Sequence, residues 1–150
     1  MTATEFATWR RALEREYADE QVAAGRWSAE QAPRLAREGN DTLFPQGLTT
    51  PGMLFLTALL PGGTPVGSMW IGIEHPRGNP GCAFIYDIHI DEAYRSAGHG
   101  RALLTAGEQA ARDRGATAIE LNVFGANTRA IRLYESAGYT VTTQQMRKPL

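Results

Sequence analysis

Arg95-Ser96-Ala97-Gly98-His99-Gly100 is the stretch whose residue types and spacing most clearly suit a chemical task. It follows an apolar run, Phe84 to Ile90, and opens a helical pattern that continues to Arg114. A strand feeding a glycine-rich turn and then a helix start is a ready anion site. Glycine lets backbone N–H groups close on a phosphate, and the helix N-terminus adds partial positive charge. A phosphate-bearing ligand is therefore expected on Arg95 to Gly100. Arg101 is placed either to reach a phosphate or to face solvent.

Groups able to move protons lie on the flanking strands. Asp87 and His89 share one face of their strand by alternation, and Glu120 and Asn122 share a face of the next. Histidine is the side chain that most readily exchanges a proton near neutral pH, so His89 reads either as a base or as a half-exposed strand residue. Cys82 has no histidine patterned beside it in the sequence and reads as no nucleophile. His75, next to Pro76, reads as plain loop.

These residues need a frame. Thr2 and Glu5 have capping-box spacing, and Phe6, Trp9, Leu13 and Tyr17 then recur at helical intervals until Gly25. Ser28 and Gln31 repeat the capping-box spacing before Ala32, Leu35 and Ala36, with Pro33 delaying or bending that helix. Strands are expected over 53–60, 66–74 and 82–91, the first two as a hairpin around the turn at Pro61 to Pro65. A helix over 98–114, a strand over 117–124, a short helix over 127–137 and a last strand over 139–148 complete the order. Gly115 and Gly138 serve as helix stops. The pattern is α/β (α+β), one domain over 1–150, with a mixed sheet and helices on both faces.

Bulk properties narrow the classes. The chain has 150 residues, 43% of them hydrophobic, enough to bury one core. A net charge of −1 gives no field to recruit nucleic acid or an anionic membrane. No apolar run is long enough to span a bilayer, and no basic-then-apolar leader opens the chain. One cysteine excludes an intrachain disulfide framework. A cytoplasmic location is expected.

Two motifs in order are specific where either alone is not. The first is Arg95-x-x-Gly98-x-Gly100 after a strand. The second is Asn127-Thr-Arg-Ala130-Ile-Arg-Leu133-Tyr134-Glu135-Ser-Ala-Gly138-Tyr139. On these the chain resembles the GCN5-related N-acetyltransferase (GNAT) superfamily, firmly from about Val66 to Tyr139 and more weakly over the first 50 residues. The resemblance implies a mostly antiparallel twisted sheet and an acyl-CoA, chiefly acetyl-CoA, as co-substrate, with no metal. The acetyl group would pass directly to a primary amine of a small molecule or peptide in a ternary complex. It implies that the CoA pyrophosphate sits on the Arg95–Gly100 turn. Pantetheine would lie where a bulged strand, here Phe84 to Ile90, splays from the strand over 117–124. It would pair with backbone near Ile88 to Ile90 and touch Asn127.

By the same resemblance Tyr134 is the general acid that protonates the departing thiolate. Asn122 joins the cofactor-binding set. It stands where relatives acting on protein N-termini carry a glutamate, and an amide cannot take a proton. The base is then Glu120 through water, His89 oriented by Asp87, or no dedicated base with a neutral amine held in place. The acceptor pocket would be walled by 17–27 and 139–145. Glu16, Asp19 and Glu20 favour a cationic amine if they face it, or form a solvated helix face. The family's first edge strand is expected to be missing and its final hairpin reduced to one strand. A homodimer is expected to cover a bare sheet edge. The alternative function is a non-catalytic acyl-CoA-binding module.

Overall fold

The computed structural model describes residues 1–148. Helix α1 spans Ala3–Ala23 and starts as its sequence dictates. The Glu5 N–H donates to the Thr2 hydroxyl at 3.2 Å, and the Thr2 N–H donates to the Glu5 carboxylate at 2.7 Å. Helix α2 spans Ala32–Leu43 and begins after the Ser28–Gln31 match, not at it. Ser28 closes a preceding turn by accepting from the Gln31 N–H at 3.3 Å. Pro33 then sits in the first helical turn, where its missing N–H costs nothing.

Among the described residues four strands form one sheet in the order β1-β2-β3-β4: β1 Met53–Leu59, β2 Pro65–Gly72, β3 Cys82–Ile90 and β4 Ala118–Leu121. The first two pairings are antiparallel. β3 and β4 are parallel and joined through helix α3, His99–Arg112. Helix α4, Thr128–Ser136, follows β4. Alternation sorts the core onto the two faces. Met69, Ile71, Ala83 and Ile85 pack on Leu103, Leu104 and Ala111 of α3 and on Tyr134 of α4. Phe55 and Trp70 pack on Phe6 of α1 and on Phe44, which caps α2.

Two irregularities shape the sheet near the candidate site. Trp70 pairs with Asp87 but Ile71 pairs with Ile85, so Tyr86 is an extra residue, a bulge in β3. The β3–β4 ladder covers only Cys82 to Ile85 against Ala118 to Leu121, so beyond Ile85 the two strands part. At the parting end β2 comes very close to β3. A Cβ on Gly67 would run into the His89 carbonyl oxygen and lie 2.6 Å from Ile90 Cδ1. Backbone cannot yield as a side-chain tip can. Gly67→Ala is therefore expected to cost about 1–3 kcal/mol in urea denaturation. An unchanged midpoint would show that the strands separate freely there.

The run Tyr139 to Lys148, expected as a last strand, forms no strand. Strand preference reflects packing against a partner strand, and β4 offers only four residues. Val141 and Met146 accordingly stand exposed, Met146 at 89%. The strand expected over 117–124 is likewise shorter: Asn122 to Phe124 leave the sheet. No described helix is long and apolar enough to cross a membrane.

Candidate active site

Where β3 and β4 part, a cavity of about 160 Å³ opens. Its walls are Ile85 to Ile88 on one side, Leu121 to Phe124 on the other, and Asn127 and Tyr134 from the α4 segment. The gap connects the two faces of the sheet. Tyr134 belongs to the core on the α3 face, whereas Asp87 receives a hydrogen bond from the indole N–H of Trp9 on α1, 3.3 Å away.

Each group is held for a local reason. After the bulge at Tyr86 the alternation resumes, and Ile88 and Ile90 turn their side chains into the α3-side core. Asn127 caps α4, accepting from the Ala130 N–H at 3.1 Å. Tyr134 is 9% exposed. Burial raises its phenol above the ordinary tyrosine value, and the negative charge of Asp87 adds to the shift. Burial also raises the Asp87 carboxyl above the usual aspartate value, against the lowering effect of the Trp9 N–H.

The glycine turn holds two residues in the left-handed region. Ser96 has φ of 68° and Gly98 has φ of 86°, and no side chain caps the first turn of α3. His99 opens that turn and Gly100 lies 3.4 Å, by a built Cβ, from Leu133. The exposed Arg95 side chain donates through Nε to the Ile90 carbonyl at 2.8 Å and ties the turn to the end of β3. The Arg101 guanidinium donates to the Ser136 carbonyl at 3.2 Å and to its hydroxyl, joining α3 to α4. Arg129, which the sequence did not single out, donates to the Ser96 hydroxyl at 3.2 Å and so brings a cation to the turn. Its place two residues after Asn127 was the available signal.

Glu120 and His89, the candidate bases, do not line the cavity with Tyr134. The Glu120 carboxylate lies 3.2 Å from His75 Nε2. His75 is not plain loop but buried, edge-on to Phe84 at 5.1 Å. His89 is half exposed, and its ion-pair contact among the described residues is Asp91 at 3.5 Å, not Asp87. His75, Cys82 and Glu120 bring one ligand atom each within 4.8 Å of one another. The His75 Nδ1, however, accepts from the Arg77 N–H at 3.0 Å, which leaves the ring proton on Nε2. A metal there would displace that proton from a ring whose other nitrogen is already an acceptor, the reverse of the usual ligand arrangement. Burial and the Glu120 charge also raise the Cys82 thiol, so the trio reads as packing under the loop.

Of the expected acceptor walls, Ala24 and Arg26 of one and Gln145 of the other line a shared cavity of about 300 Å³, together with Arg147 beyond the second wall. Tyr17 and Trp27 stand edge-to-face nearby in sequence, 5.4 Å apart.

The profile of the acetyltransferase (GNAT) family matches residues 9–139. The chain is 37% identical to an uncharacterised N-acetyltransferase, YycN, of Bacillus subtilis, over 100% of this chain and 96% of that protein. It superposes on the crystal structure of YycN with a TM-score of 0.86, covering 100% of this chain and 95% of that one. A more distant neighbour is a Bacillus anthracis protein named as a streptothricin acetyltransferase, in complex with acetyl coenzyme A. It is 26% identical, with a TM-score of 0.54 over 61% of this chain and 49% of that one. A bulged strand splaying from its parallel neighbour, a glycine turn opening the helix between them and a family match across 131 of 150 residues (139 − 9 + 1) agree, and the chain belongs to the GNAT acetyltransferase family.

Proposed function

We propose that the protein moves an acetyl group from acetyl-CoA to a primary amine by direct attack in a ternary complex. One observation supports this: Tyr134 and the stretch of β3 that β4 leaves unpaired line one cavity where the two strands part. The pyrophosphate would rest on the amides of Ser96 to Gly100, with Arg129 beside it. The pantetheine arm would lie in the gap and take up backbone groups of β3 that β4 leaves unpaired. Those N–H groups would also polarise the thioester carbonyl. Tyr134 would give its proton to the departing thiolate. The acetyl coenzyme A bound by the Bacillus anthracis neighbour supports the choice of donor.

Calorimetry with acetyl-CoA, followed by thiol release across a panel of primary amines, tests this reading. Binding with turnover on at least one amine is expected. Failure to bind acetyl-CoA overturns it. Tight binding with no turnover on any amine would assign the fold here to a binding module instead.

A further inference from the structure

We propose that Asp87 is the proton acceptor of the reaction, and that its amine is an alkylammonium cation drawn in from the α1 side by Asp87 and Glu16 together. This rests on the acetyl-transfer reading above and adds the base and the substrate class to it.

The placement comes from the bulge. Pairing of Trp70 with Asp87 keeps the Asp87 side chain on the α1 face, while the same stretch of strand lines the gap that holds Tyr134. The acid and the proposed base thus reach one cavity from opposite faces of the sheet. The Trp9 indole N–H fixes one carboxylate oxygen at 3.3 Å and leaves the other to a substrate. The charged and titratable groups that act on Asp87 come from α1, from β3 itself and from α4. Glu16, exposed on α1, acts on it through its charge, His89 lies two residues along its own strand, and Tyr134 comes from α4. Glu16 raises the Asp87 carboxyl and His89 lowers it, and burial dominates both.

Neither carboxylate is neutralised. Among the described residues no Lys, Arg or His nitrogen lies within 4.0 Å of Asp87 or Glu16. Arg10, the nearest arginine to Trp9 in sequence, is already committed to Glu14 and Asp41. The like charge of Glu16 disfavours an ionised Asp87, and a cation seated at Asp87 relieves that. A neutral or anionic acceptor would leave that repulsion in place.

The step balances without a further reactant. An ammonium N–H bond breaks toward Asp87, and the freed lone pair attacks the thioester carbonyl carbon. The C–S bond then breaks with its electron pair on sulfur, and the thiolate takes the Tyr134 proton. The phenolate recovers the proton that the nitrogen sheds as the amide forms. Asp87 returns its proton to solvent along the half-exposed His89 side. The products are an N-alkylacetamide, CoA thiol and one proton.

Two amines separate this from other roles: cadaverine, a cation at pH 7, and 2,2,2-trifluoroethylamine, largely neutral there. Asp87→Asn is expected to lower kcat/KM about 10²–10⁴-fold for cadaverine and far less for trifluoroethylamine, which arrives without the proton to be removed. Glu16→Gln is expected to raise KM several-fold for cadaverine and not for trifluoroethylamine. The cadaverine loss should shrink as pH approaches the amine's own range. A second readout needs no turnover. A carboxyl held above its unfolded value favours folding only while protonated, so its contribution is lost as pH rises through the folded value. Asp87→Asn is therefore expected to raise the melting midpoint by a few degrees at pH 7 and not at pH 4. Equal losses on both amines, or a midpoint that falls at both pH values, make Asp87 a structural hydrogen-bond partner and overturn this inference. No thiol release from the unsubstituted protein with any amine overturns the acetyl-transfer reading, and this inference with it. Turnover of cadaverine that Asp87→Asn preserves overturns this inference alone.

Discussion

Tyr134→Phe is expected to cut kcat by about 10²–10⁴-fold and to change the Kd for acetyl-CoA by less than about threefold. The hydroxyl is the only group removed. The ring stays at 9% exposure in the α3-side core, 5.7 Å from the Tyr139 ring, so packing and stability are largely kept. What is lost is a proton for the thiolate. Without that proton sulfur must leave as a bare thiolate, and a larger share of the intermediate expels the protonated amine and returns to thioester. The environment suits an acid that must stay loaded. Burial first, and the Asp87 charge second, raise the phenol above the ordinary tyrosine value. The protonated form therefore persists as pH rises, and the alkaline fall in kcat belongs above the range of a free tyrosine. That fall should vanish in Tyr134→Phe, whose residual rate should be flat there. Stopped-flow thiol release at saturating amine gives kcat, and calorimetry gives the affinity. If affinity falls in step with kcat, Tyr134 shapes the cavity and does not act as the acid.

Much of the frame was legible because it depends on neighbours in sequence. The Thr2–Glu5 cap, the glycine stop after α3 and the hairpin around Pro61 to Pro65 are each set within a few residues, and each is formed. The two-sided helix cover followed from amphipathic spacing. Partners distant in the chain were not legible. Alternation put Glu120 on a face but could not say that His75 would lie against that face. It put His89 beside Asp87 but not the His89 contact with Asp91, which is set by the way β3 ends. The last ten described residues failed for the same reason. Thr140 to Thr143 are good strand formers, but a strand also needs an edge to pair with, and β4 ends at Leu121. Arg129 shows the converse: its reach to Ser96 depends on how α4 docks beside α3, which no local pattern encodes.

Gly98→Val is expected to weaken acetyl-CoA binding by about 10- to 150-fold, while a matched change at the other end of the same helix, Gly115→Val, leaves it within about twofold. The range follows from the loss of one hydrogen bond to a charged group, about 1.5–3 kcal/mol. The two glycines are alike in what they cost the protein. Gly98 has φ of 86° and Gly115 φ of 90°, and a Cβ at either position meets nothing within 4 Å. A β-branched residue is strained in that region whatever the space, by about 1–2 kcal/mol. Urea denaturation should therefore rank the two variants together. They differ in what the turn presents. Gly115 sits past the α3 C-terminus, where its N–H donates to the Arg112 carbonyl at 2.9 Å. Gly98 sits at the helix N-terminus, where no side chain occupies the first-turn amides. Relieving strain at Gly98 by returning φ to negative values reorients those amides, and an anion held on them would lose donors. Ser96, already at φ of 68°, cannot compensate without a second strained turn. If calorimetry finds the two variants equally weakened, general destabilisation explains both. If it finds neither weakened, the pyrophosphate is not held by this turn.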